Sequence, residues 1–289
     1  MGYLLAFLTL VTWGLADFLV QRQGRKVGSS TSALVVFSFG AILLAPFAFN
    51  SVISGEVQLT SSNFLILNIT AISNLIGTLL FYRALRVGKL AVVEPITALE
   101  IVTTGILAYL ILKEAPTPTQ IVCLTLIIIG VLLVSMGKDD TKRRKKLESG
   151  VLLAIVSVAF NGIVDFFHGA ASREFPPLFL NWYTATILVL GVLIVARKSN
   201  SKAIIIKVWK DHPIQTFIMA LSNNIAWVLY SYSAQLIPIA TAFGIAQSFI
   251  VLTTILAVVV NKEKLSGAQW LGIATTTIGI VLVSITGNI

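Results

Sequence analysis

Charge is scarce in this sequence. Only 11% of its 289 residues are Asp, Glu, Lys or Arg, while 56% are hydrophobic. A soluble domain carries charge on roughly a quarter of its residues, so an ordinary water-soluble fold is excluded. Cysteine is almost absent as well. The single Cys123 lies in an apolar run, which rules out a disulfide framework or a zinc cluster within one chain. No GxxxxGK[ST] loop is present to drive an ATP-powered pump, and no HExxH, GxSxG or metal-ligand cluster marks an enzyme. The expectation is therefore no enzyme, no cofactor and no metal. The first apolar run has no basic stretch before it and no small-residue cleavage site after it. Met1 to Val20 is accordingly expected to be a retained helix, not a signal peptide.

What is present is length of apolar sequence. A hydrocarbon core about 30 Å thick takes roughly 20 apolar helical residues to cross. Such stretches recur near 2–20, 31–49, 63–82, 90–112, 117–136, 150–171, 177–196, 214–233, 237–260 and 267–286. Polar or proline-containing breaks separate them, among them Gln21 to Lys26, Asn50 to Ser62, Lys113 to Pro116, Lys138 to Glu148 and Arg197 to Pro213. The pattern predicts an all-α membrane protein with ten transmembrane helices.

The chain also matches itself. At an offset of 148 residues, Gly2, Leu4, Leu5, Ala6, Gly14, Asp17 and Phe18 fall on Gly150, Leu152, Leu153, Ala154, Gly162, Asp165 and Phe166. At nearly the same offset Ser73-Asn74 meets Ser222-Asn223, Thr103-Thr104 meets Thr253-Thr254, and Lys113-Glu114 meets Lys262-Glu263. An ordered series at a near-constant offset predicts two homologous five-helix repeats, 1–148 and 149–289. An odd number of helices per repeat makes them inverted relative to each other, around a central cavity.

The net charge of +9 at first suggests nucleic acid, but the basic residues sit between apolar runs. Nineteen of the 21 Lys and Arg lie in alternate breaks, leaving only Lys113 and Arg173 on the other side. The positive-inside rule makes the basic side, with the Lys142 to Lys146 run, cytoplasmic and puts both termini outside a multi-pass cell-membrane protein. Contact of that run with membrane lipid is expected; nucleic acid is not.

Some residues are out of place in hydrocarbon. A carboxylate at membrane depth costs roughly 2.5–3.5 kcal/mol on insertion scales, so it faces a cavity or a partner. Thr9, Trp13 and Asp17 form one stripe of the first segment, and Ser157, Asn161 and Asp165 repeat it in the sixth. The fourth segment clusters Thr97, Glu100 and Thr104, the ninth carries Gln247 and Thr254, and the eighth aligns Asn223, Trp227 and Tyr230. These stripes predict a polar cavity with aromatic walls. Glu100, Asp165 and Asp17 are the candidate substrate- or proton-binding acids. Trp13, Asn161, Thr97, Thr104, Asn223, Trp227, Tyr230 and Gln247 are the candidate lining. Blander readings pair Asp17 with Arg22, put His168 at the membrane interface, and leave Glu94 with Arg83, Arg86 and Lys89 at a solvated junction.

The pattern resembles the drug/metabolite transporter superfamily, in its EamA-like branch. The letters that carry the resemblance are Trp13-Gly14, Tyr82-Arg83-Ala84-Leu85, Glu114 with Gln120, Gly130-Val131, Glu263-Lys264-Leu265, Gln269, Gly272 and Gly279-Ile280. It implies a secondary transporter that moves a small metabolite, amino acid or drug-like molecule by alternating access, commonly with proton coupling. Two features depart from that family: Glu100 stands in a stretch where proline is frequent, and both termini are expected outside. A channel or a non-transporting receptor is the rival reading. An intramembrane enzyme ranks below it, because Gly14-Leu15-Ala16-Asp17 and Gly162-Ile163-Val164-Asp165 lack the Gly-x-Gly-Asp pattern of aspartyl proteases. The substrate, the direction of transport and a homodimer are left open.

Overall fold

A computed structural model of the chain describes residues 1–112, 117–135, 141–195, 201–237 and 239–286. The predicted Lys113–Pro116 break, Lys138 and Gly287 lie outside these residues. All regular structure among the described residues is helical: α1 Gly2–Val27, α2 Ser29–Ile53, α3 Ser61–Val87, α4 Leu90–Thr97, α5 Glu100–Leu107, α6 Pro118–Ser135 and α7 Thr141–Glu174. There follow α8 Pro177–Val195, α9 Ser201–Asp211, α10 Pro213–Leu236, α11 Ile239–Gln247, α12 Phe249–Val259 and α13 Gly267–Thr286. A single π-helical turn, Ala108–Leu112, continues α5.

Local chemistry sets the boundaries. Gly28, with φ 97°, closes α1 by donating its N–H to Gly24 and opens α2 one residue later. Such a corner suits a residue without a Cβ. Thr60 and Asn63 form a reciprocal cap on α3, with Asn63 Oδ1 accepting from the Thr60 N–H at 2.7 Å. Pro213 starts α10, where its missing N–H costs nothing.

Among the described residues, seven helical stretches are long and apolar enough to cross a membrane, and 121–134 and 267–282 are shorter apolar helices. At 24 residues α10 has the length, but Ser222, Asn223, Asn224, Ser231 and Ser233 dilute its hydropathy. All five are buried in the bundle, where α10 packs against α1, α2, α7 and α8.

The structure corrects the sequence-based segmentation in four places. The stretches 90–112 and 237–260 are each two helices with a break between them. The Arg197–Pro213 break contains a helix, α9, whose Val208 is buried and whose Trp209 stacks on Phe39 at 6.1 Å. The Lys142–Lys146 run belongs to the first turns of α7, not to a loop.

The buried polar groups lie within an apolar core and the exterior is apolar. Leu4, Phe7, Ile42, Leu65, Leu152, Ile194 and Leu271 are exposed, whereas Asp17, Asn74, Glu94, Glu100, Asp165 and His168 are buried. Hydrocarbon outside and polar groups inside is the arrangement a bilayer favours. The principal packing pairs are α1 with α10, α7 with α3, α2 with α8 and α6 with α13. The first and sixth predicted segments therefore pack mainly on the eighth and third.

Links carrying basic residues gather at one end. There Arg25 Nη2 donates to Gly88 O at 2.6 Å, Lys89 Nζ to Lys264 O at 3.2 Å, and Lys26 Nζ lies 3.5 Å from His212 Nε2. Glu263 ties this end together. Its carboxylate accepts from the N–H groups of Leu90 and Ala91, capping α4, and pairs with Arg25 at 3.7 Å. At the opposite end Ser233 Oγ donates to Gly2 O at 3.0 Å and Arg173 Nε to Ala234 O at 3.2 Å.

Candidate functional site

The two breaks lie face to face. After Pro95, short turns run from Ala98 N–H to Pro95 O at 3.3 Å and from Leu99 N–H to Ile96 O at 3.1 Å, and α5 resumes at Glu100. Between α11 and α12, Ser248 N–H reaches Ile245 O at 3.1 Å. No proline accompanies this second break; the Ser248 hydroxyl bonds back to Gly244 O at 3.4 Å, a contact that bends helices. Gln247 bridges the two, its amide donating to Thr97 O at 3.0 Å and to Glu100 Oε2 at 3.5 Å. Asn161 of α7 donates to Glu100 Oε1 at 2.9 Å. One carboxylate thus joins α5, α7 and α11.

Beside this junction lies a pocket enclosing about 590 Å³ of empty space, part of it open to solvent. Nine predicted residues line it: Asp17, Glu100, Asp165, Trp13, Thr97, Asn161, Asn223, Trp227 and Gln247. Two predicted residues do not. Thr104 turns to Gly162 O at 3.2 Å, and Tyr230 stands behind Trp13 and Trp227 with its hydroxyl donating to Asp165 O at 3.0 Å. Sequence reasoning missed Asn74, Thr78, Tyr82, Phe37, Phe81, Val164, Phe243 and Phe249. For Asn74 a signal existed, since the repeat matched it to Asn223.

Among the described residues, three buried atoms of the lining have no hydrogen-bond partner: Tyr82 OH, Asp165 Oδ2 and Asn223 Nδ2. Buried polar atoms are rarely left so, and a group of them around one cavity offers acceptor and donor positions to a ligand. The walls are aromatic, with Trp13 edge-on to Trp227 at 5.0 Å and to Phe249 at 5.9 Å.

The blander readings fare unevenly. Arg22 lies over the Phe18 ring at 5.4 Å, and no ion pair joins it to Asp17. His168 is buried, not interfacial, and bonds Ser231 Oγ at 2.9 Å. Glu94 is fully enclosed at 0% exposure, not solvated. The Thr9 hydroxyl only bonds back to Leu5 O in its own helix.

The sequence pattern of the EamA-like transporter family matches this chain over residues 1–136 and again over 148–285. The chain belongs to the EamA-like transporter family. Full-length relatives include the "Putative sugar uptake protein lin0215" of Listeria innocua, 24% identical over 99% of this chain and 97% of its own length. A protein of Bacillus anthracis also carrying the name "Putative sugar uptake protein" is 26% identical over 97% of this chain and 96% of its own. One crystal structure of a protein 14% identical in sequence superposes with a TM-score of 0.69, covering 99% of this chain and 96% of that one. At that identity the likeness speaks for the fold alone. This EamA-like protein is a multi-span membrane transporter of small molecules.

Proposed function

We propose that the protein is a secondary transporter working by alternating access in the cell membrane, coupled to protons, with a small neutral polyhydroxylated solute of monosaccharide size as substrate. The observation that carries this reading is the pocket at the two helix breaks, where carboxylates and amides with open hydrogen-bond positions face aromatic rings. Rings stack on the apolar faces of a sugar while planar amides and carboxylates pair with its hydroxyls. The relatives' names point to the same class. Glu100, Asp165 and Asp17 are the acids that meet substrate or proton.

The reading includes ten membrane helices in two inverted repeats, with α4–α5 and α11–α12 each counting as one broken span. Discontinuous helices at midplane are where such transporters bind their cargo. The family pattern's two matches support it. So does the packing, because exchanging the halves turns α1 on α10 into α7 on α3 and pairs α2 with α8 and α6 with α13.

The purified protein should gain thermal stability with its substrate, since a ligand that binds only the folded form raises apparent stability. A screen of hexoses, pentoses, amino acids and organic amines identifies the ligand. In proteoliposomes that ligand is expected to show saturable counterflow, and accumulation against its gradient when a pH gradient is imposed. Flux that never saturates would indicate a channel, and binding without flux a receptor.

Orientation is tested separately. In a background lacking Cys123, a cysteine at Gly287 is expected to react with an impermeant reagent from outside. One at Thr141 should react only after permeabilisation. The reverse labelling would invert the topology.

A further inference from the structure

Glu94 lies outside the pocket lining, one residue before Pro95 in the short helix α4. It is fully enclosed, and neither of its carboxyl oxygens has a hydrogen-bond partner among the described residues. The contrast is with Glu100, six residues on, which two amides hold. Two further acids, Asp17 of α1 and Glu100 of α5, act on Glu94 through their charge. The helices α3, α6, α7, α12 and α13 also pack against α4.

We propose that Glu94 is a proton-binding site behind the substrate cavity, and that transport is coupled to the proton gradient through it. The inference rests on the reading of the protein as a proton-coupled transporter. An enclosed carboxylate with no hydrogen-bond donor is costly to maintain, and a bound proton removes the charge. No three His, Cys or acidic side chains among the described residues come together to hold a metal ion instead. The break after Pro95 is the point at which α4 can bend. When it bends, water reaches Glu94, the O–H bond breaks, the electron pair stays on the carboxylate and the proton passes to water on that side. Reprotonation from the other side restores the enclosed form.

The test uses Glu94→Gln, which keeps the side-chain shape and has no proton to release, and Glu94→Asp, which keeps the acid. Both are reconstituted in sodium-free liposomes with the sugar selected by the thermal screen. Glu94→Gln is expected to retain counterflow and lose accumulation driven by a pH gradient. Glu94→Asp should accumulate substrate with a displaced pH midpoint. In infrared difference spectra a carboxylic C=O band of the unaltered protein should vanish in the Gln variant and shift in the Asp variant. Accumulation by Glu94→Gln with unaltered pH dependence overturns the Glu94 site and leaves the coupled transporter standing. Accumulation by the unaltered protein that ignores pH defeats the coupling reading and this site with it. Should the Gln variant not fold, an undisplaced midpoint and an unshifted band in Glu94→Asp overturn the proposal.

Discussion

Asp165→Asn is expected to weaken substrate binding about 10- to 100-fold, read as the concentration dependence of counterflow in liposomes. Asp165 lines the pocket and its buried Oδ2 has no donor among the described residues, so a substrate hydroxyl is the group expected to complete it. Leaving a buried donor or acceptor unsatisfied costs roughly 1–3 kcal/mol, and each 1.4 kcal/mol is about a factor of ten. The amide keeps the shape and replaces an acceptor with a donor, which turns that hydroxyl away. Tyr230→Phe is the control. It removes the hydroxyl that supports the Asp165 backbone at 3.0 Å without touching the lining, and a much smaller change is expected. Unaltered affinity in Asp165→Asn would make the residue a structural acid.

Gly272→Leu should abolish recovery of folded protein, and Gly272→Ala should lower the apparent melting temperature measurably. A Cβ at Gly272 would lie 2.6 Å from Gly130 O and 2.6 Å from Val134 N, both backbone atoms of α6. No rotamer relieves contact with backbone, so α6 and α13 would have to move apart. Small residues at membrane helix crossings exist to permit that approach. Overpacking typically costs about 1–3 kcal/mol, and a leucine brings three more carbons to the same place than an alanine. Gly105 in α5 is the counter-example, with nothing within 4 Å of an added Cβ. Gly105→Ala should be neutral, or stabilising by about 0.5–1 kcal/mol. A Gly272→Ala protein as stable as the unaltered chain would show that the two helices can separate freely.

Residues alone make some features of the cavity readable and hide others. Asp17, Glu100 and Asp165 stand out because an acid in an apolar run needs an explanation, and the structure puts all three on one pocket. Asn74 and Thr78 did not stand out. Such side chains often bond to their own helix, so their letters are ambiguous; here Thr78 Oγ1 donates to Asn74 Oδ1 at 2.9 Å and both line the pocket. Glu94 was misjudged for a different reason. Its neighbours in sequence are Arg83, Arg86 and Lys89, but α4 buries it in the bundle.

Membrane residence was settled by sequence, because the cost of placing charge in hydrocarbon acts on each segment before any segment meets another. Helical content followed from the same cause, since a chain in lipid must satisfy its backbone internally. The partnership of helices was a tertiary matter. Periodicity tells which face of α1 is polar, but only the packed bundle puts α10 against it and α3 against α7. The two breaks were decided there too. An uninterrupted apolar run reads as one helix, yet Gln247 from one half satisfies the Thr97 carbonyl that the broken ladder of the other leaves free. That donor lies 150 residues away in sequence, beyond the reach of any local signal.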